Sequence, residues 1–150
     1  MKPRLFTSIP PRLRGVELKP ESQGTAQVGV IESWLNAGFE PVSIHLVDEI
    51  NRQPALPTVL RHHGVESIAI TPEMRVRTSA PLCPIRDFLE AISSHSSDAP
   101  VAIINADIRI AASSDQVLAE RIASLDESEF LIGQRSDITY LADGSRRSNT

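Results

Sequence analysis

The apolar run Val101, Ala102, Ile103 and Ile104 is interrupted by Asn105-Ala106-Asp107 before Ile108 resumes it, setting an amide and a carboxylate two positions apart. If the strand persisted, both would point to one side of the sheet. A carboxylate there suits a hard divalent cation, and an amide suits a hydroxyl. In open α/β sheets ligands gather at the carboxyl ends of strands, so Asp107 is where a metal or other ligand contact is expected. The competing reading is structural: Asn and Asp bond nearby backbone amides and form turns.

Other chemistry finds less support. Neither G-x-G-x-x-G nor G-x-x-x-x-G-K-[ST] occurs, which speaks against dinucleotide dehydrogenases and P-loop enzymes. There is no G-x-S-x-G elbow, and Cys83 stands alone, so an intramolecular disulfide or cysteine-rich zinc site is excluded and a buried, inert thiol is expected. His62 and His63 are adjacent and would diverge on a helix, away from any shared metal. Asp48 and Glu49 follow a strand and read as the N-cap and first turn of a short helix.

With 150 residues, 41% of them hydrophobic, the chain is sized for one domain with a real core. The net charge of −4 offers no basic field for nucleic acid. Thirteen Arg against two Lys would fit phosphate recognition, but a genomic codon bias explains the ratio as well. No apolar run approaches the roughly 18 residues of a membrane span, and the first twenty residues lack a signal peptide's apolar centre, so a cytoplasmic protein is expected.

These residues need elements to hold them. Strands are expected over 5–9, 41–47, 65–70, 101–104 and 130–133, the fourth as a central strand covered on both faces. Helices are expected over 24–37, where Gly38 takes the left-handed stop, from Asp48 through Ile50, from Pro84 through His95, and after a Ser113/Gln116 capping box along Leu118, Ile122 and Leu125. The stretch 73–84, with Arg75 and Arg77, reads as a loop on the rim that carries Asp107. Alternating strands and helices with almost no hairpin signal predict right-handed crossovers and a three-layer, Rossmann-like α/β sandwich with a mainly parallel sheet. Residues 135–150 are polar and read as a frayed tail, most clearly from about 141, or as the point where a larger domain was cut.

The segments TSIPPRLRG, VIESWLNAGFEPVSIHLVDEI, INADIRI and FLIGQRSDI, in this order over roughly residues 5 to 140, resemble the nucleotide-diphospho-sugar transferase superfamily, the glycosyltransferases of the GT-A fold. The resemblance implies the N-terminal, nucleotide-binding half of that fold and a nucleotide-diphosphate sugar as ligand. In the superfamily an Asp-x-Asp motif closes the fourth strand; its last carboxylate holds a divalent cation that bridges the two phosphates. Here the motif is Asn105-Ala106-Asp107, which implies Asp107 as ligand to Mg²⁺ or Mn²⁺ and Asn105 as a ribose contact. By the same resemblance Thr7, Ser8 and Arg12 would meet the base and phosphates, Arg135 the pyrophosphate and Asp137 the acceptor.

The first Asp is replaced, and only about forty residues follow the motif, where GT-A enzymes keep acceptor binding and the general base of inverting members. No catalytic residue can therefore be named. The chain would be a nucleotide-binding half, a shortened piece, or a subunit that completes its site by homo-oligomeric association. The alternative function is a non-catalytic binding or assembly module that retains the fold. A flavodoxin-like or phosphate-receiver domain would want paired acids after the first strand, where Ile9-Pro10-Pro11 stand instead.

Overall fold

The computed structural model describes residues 2–9, 25–71, 83–96, 98–110, 115–133, 137–140 and 146–149. In chain order the elements are β1 (Arg4–Thr7), α1 (Thr25–Asn36), β2 (Glu40–Leu46), α2 (Val47–Arg52), α3 (Leu56–His62), β3 (Glu66–Ile70), α4 (Ile85–His95), β4 (Val101–Ile103), α5 (Asp115–Ala123), β5 (Asp137–Tyr140) and β6 (Arg146–Asn149). The first four strands form one all-parallel sheet in the order β3-β2-β1-β4. This α/β sandwich has the order of a Rossmann-like doubly wound sheet, whereas a flavodoxin-like sheet would read 2-1-3-4.

Alternation along β1 divides the core. Leu5 and Ile9 face Val30, Ile31 and Trp34 of α1, Leu56 and Leu60 of α3, and Ala119 and Ile122 of α5. Phe6 faces the other way, with Val42, Ile44 and Ile68, onto Phe88, Ala91 and Ile92 of α4. The steps β1 to β2 and β2 to β3 thus cross on one face, and the return from β3 to β4 crosses on the other. Crossovers of a single hand require this reversal.

Two glycines make the tight exits. Gly38 (φ +85°) ends α1 and Gly64 (φ +81°) ends α3, the left-handed conformation that a Cβ disfavours. After each the backbone doubles back, Phe39 N–H donating to Trp34 O and Val65 N–H to Leu60 O. At the amino rim, Arg4 bonds the His95 carbonyl and pairs with Glu66, tying β1 to α4 and β3.

Several expectations need correction. Among the described strands β4 is an edge rather than the centre, it stops at Ile103, and Ile103 is 55% exposed rather than covered on both faces. Phe130–Gly133 forms no strand, and Phe130 and Ile132 are strongly exposed. The reason lies in α5, which packs on the face of α1: a parallel strand set outside β4 would then need the opposite crossover hand. An antiparallel hairpin, β5 with β6, forms where no hairpin was expected, and β6 lies within the stretch read as a polar tail. Asp48 does not cap α2; Leu46 holds that position, without a side-chain bond, and Asp48 sits in the first turn. The capping box at Ser113 and the loop with Arg75 and Arg77 lie outside the described residues.

Candidate functional site

Because β2 and β3 lie to one side of β1 and β4 to the other, the chain's direction across the sheet reverses between β1 and β4. The loop leaving β4 runs onto the face of α1, the face also taken by the helix after β1, so the two connections share one side of the sheet at this reversal. The register Phe6↔Ile103 and the bond from Ile104 N–H to Phe6 O bring Thr7 and Ser8 beside Ile104 and Asn105. Four of the expected site residues, Thr7, Ser8, Asn105 and Asp107, therefore belong to one rim. Arg12 and Arg135 lie outside the described residues, and of Asp137 only the backbone, in β5, is described.

Residues 105–108 form a turn closed by Ile108 N–H on Asn105 O, at 3.2 Å. Its middle is anchored by Ala106, buried in the core against the α1 face, while Asn105 and Asp107 on either side are turned to solvent. The turn of the structural reading is thus real, but it is closed by backbone: neither the Asn105 amide nor the Asp107 carboxylate bonds any described residue. The loop is then fastened along α1. Trp34 Nε1 donates to Ile108 O at 2.8 Å, and Ser33 Oγ accepts from Ile110 N–H at 3.1 Å while donating to Val30 O at 2.6 Å.

A cleft of about 930 Å³ runs along β4. Asn105 closes its carboxyl end; Ile103, Leu118, Phe130 and Leu131 form apolar walls, and Asp98 and Glu129 add charge. Asp107 lies outside this lining. As a metal ligand it would act as a single carboxylate, since no group of three or more His, Cys, Asp or Glu converges among the described residues. One exposed carboxylate with phosphate oxygens as co-ligands remains compatible with Mg²⁺ or Mn²⁺.

A second polar feature was not anticipated as a site. On the α1 face Thr7, Ser43 and Ser67 lie in register across three strands, and His45 follows two residues after Ser43. Thr7 and His45 are fully buried, yet the Thr7 hydroxyl, both His45 nitrogens and the Ser67 hydroxyl lack hydrogen-bond partners among the described residues. Ser43 Oγ is satisfied by Ile9 N–H at 3.2 Å. Glu49, also buried, brings a carboxylate oxygen to 3.5 Å from His45 Nδ1, without the alignment of a hydrogen bond. The signal was present in the alternation of EPVSIHL, which puts Ser43 and His45 on an inward face. Near this end of the sheet the Cys83 thiol is pushed up to about 11, chiefly by burial and then by the charges of Asp87 and Glu49. The residue is half-buried rather than fully buried as expected, and the raised pKa disfavours the reactive thiolate.

His62 and His63 end α3 edge to face, with ring centroids 5.5 Å apart, and share no described carboxylate or thiol. No described helix is long and apolar enough to cross a membrane. The chain matches no protein-family model, no curated protein and no solved structure.

Proposed function

We propose that the chain is a glycosyltransferase-like domain that binds a nucleotide-diphosphate sugar at the carboxyl rim between β1 and β4. The observation carrying this reading is the Asn105-Ala106-Asp107 turn: a buried alanine pins it at the reversal point of the sheet and presents an amide and a carboxylate, both unengaged by described residues. A turn whose backbone is already fixed needs less ordering when a ligand binds and sets the direction from which its polar side chains approach. Asn105 would bond a ribose hydroxyl, and Thr7 and Ser8 would approach the same ligand from the end of β1. A divalent cation held by Asp107 and the diphosphate would act as Lewis acid toward the departing phosphate. The protein's own part is to bind and orient the ligand, with no general base among the residues named.

A non-catalytic binding module is the second reading. It is favoured by the amide in place of the first Asp and by the solitary state of Asp107. Calorimetric titration of UDP, GDP and UDP-sugars separates nucleotide binding from its absence. Turnover of a bound sugar nucleotide, measured as release of the nucleoside diphosphate, separates transferase from module.

A further inference from the structure

We propose that the cleft along β4 takes an extended peptide, apolar at alternate positions and carrying Lys or Arg at one end, which adds to β4 as a further strand. The proposal is independent of the nucleotide-sugar reading, whose ligand would lie at the carboxyl rim, and shares only Asn105 with it. The ladder between β1 and β4 fixes which backbone groups are left for a partner. Phe6 lies opposite Ile103, and Phe6 O accepts from Ile104 N–H. In a parallel pair the bonds alternate along each strand, so Ala102 and Ile104 turn their backbone groups to β1 while Val101 and Ile103 turn theirs outward. No described strand takes those outward groups, since β4 is the edge and β5 and β6 pair with each other. They recur at every second residue, which is the repeat of an extended backbone. A parallel strand from the same chain is barred by the crossover hand once α5 lies on the face of α1.

Side chains and charge select the occupant. Ile103 is 55% exposed, Phe130 78% and Leu131 47%, and all three line the cleft. Apolar groups gathered beside an unpaired edge form a surface that a partner covers. Among the described lining residues stand the carboxylates of Asp98, Asp126, Glu127 and Glu129, with no Lys, Arg or His. Ala119 of α5 packs on Gly38, just before β2 begins, so the turn that follows α5 lies at the amino end of the sheet, where Asp98 precedes β4. The negative charge is thus collected at one end of the cleft and the Asn105 amide at the other. Part of it is engaged locally: Asp126 accepts from Ser128 N–H at 2.8 Å, and Glu129 lies 3.8 Å from Arg121. Asp98 and Glu127 bond no described residue. An anionic ligand is repelled from this end and a basic one attracted. Two copies paired edge to edge about a two-fold axis would set the acidic end against the Asn105-Ala106-Asp107 turn, which brings no cation. About six extended residues, at roughly 3.3 Å each, span β4 and its flanks, with alternate side chains falling on Phe130 and Leu131.

Amide NMR titration of the intact chain tests this with hexapeptides of alternating Val and Thr that carry two Lys at one end or the other, and with the same peptides carrying Glu for Lys. One Lys peptide should shift the Val101 and Ile103 amides, and the Glu peptides should not. Asp98→Asn with Glu127→Gln should weaken that peptide by about three- to tenfold with thermal unfolding unchanged, and added salt should weaken it in the parent. Methylating one alternate set of the peptide's backbone nitrogens should abolish binding, and methylating the other set should be tolerated, because only one set faces β4. The proposal is overturned if neither Lys peptide shifts these amides, if Lys and Glu peptides bind alike, or if both methylated sets behave the same. A dimer in light scattering that Ile103→Asp dissociates would assign the edge to a second copy and overturn it as well. Titration of UDP on the same samples reads the nucleotide proposal separately, so either can fail alone.

Discussion

The indole Nε1 of Trp34 donates to the carbonyl of Ile108 over 2.8 Å, joining the middle of α1 to the loop that carries the proposed ligand groups. Trp34 is wholly buried, so a single side chain serves both as core and as fastening for Asn105 and Asp107. Trp34→Phe retains an aromatic ring but leaves that carbonyl without its donor. It should cost about 1–3 kcal/mol in urea denaturation and weaken any rim ligand as well. Unchanged stability would show that the loop does not depend on this bond.

At Gly64 two constraints coincide: φ is +81°, and an added Cβ would meet Leu35 Cδ1 at 3.1 Å. Gly64→Ala should lose about 1–2 kcal/mol for the left-handed conformation alone, and more for the contact. Combining it with Leu35→Ala should relieve the contact part only, so the two losses will sum to less than expected from the single variants. Strict additivity would remove Leu35 from the explanation.

Thr7 separates stability from function. Its buried hydroxyl has no partner among the described residues, so the near-isosteric Thr7→Val should leave the fold as stable as the parent or up to about 1 kcal/mol more stable. A clear loss in thermal unfolding would mean that the hydroxyl is satisfied within the fold.

Much of this arrangement was legible in the residues. The period of Val30, Ile31, Trp34 and Leu35 gave α1, Gly38 gave its stop, and alternation gave β2, but not the burial of Ser43 and His45 on its other face. The position of β4 was not legible, because an apolar tripeptide reads alike at an edge and at a centre; the faces taken by the crossovers decide. The same rule removes Phe130–Gly133 from the parallel sheet once α5 lies on the face of α1. The turn groups Asn105 and Asp107 could be picked out by type, but the bonds from Trp34 and Ser33 that hold their loop along α1 could not.

Cys83 gives a pH-dependent readout. Its pKa is raised from 9.0 in the unfolded chain to about 11 in the fold, so the folded state keeps its proton more tightly. The contribution to stability is whole below about pH 9 and declines as pH rises toward 11. Alkylation by iodoacetamide should be slow at pH 8 and accelerate between 9 and 11; Asp87→Asn should shift that rise to lower pH. Rapid labelling of the folded protein at pH 8 would contradict this environment.

On the function proposed above, Asp107, which bonds no described residue at the sheet's reversal point, meets a nucleotide-diphosphate ligand. Titration calorimetry of UDP, GDP and UDP-sugars with and without Mn²⁺, on the parent and on Asp107→Ala, tests it most directly. The account predicts binding by the parent that Mn²⁺ strengthens, and loss of the Mn²⁺ effect in the variant with unfolding unchanged. A parent that binds none of these ligands, or a variant that binds them with the same Mn²⁺ dependence, would contradict it.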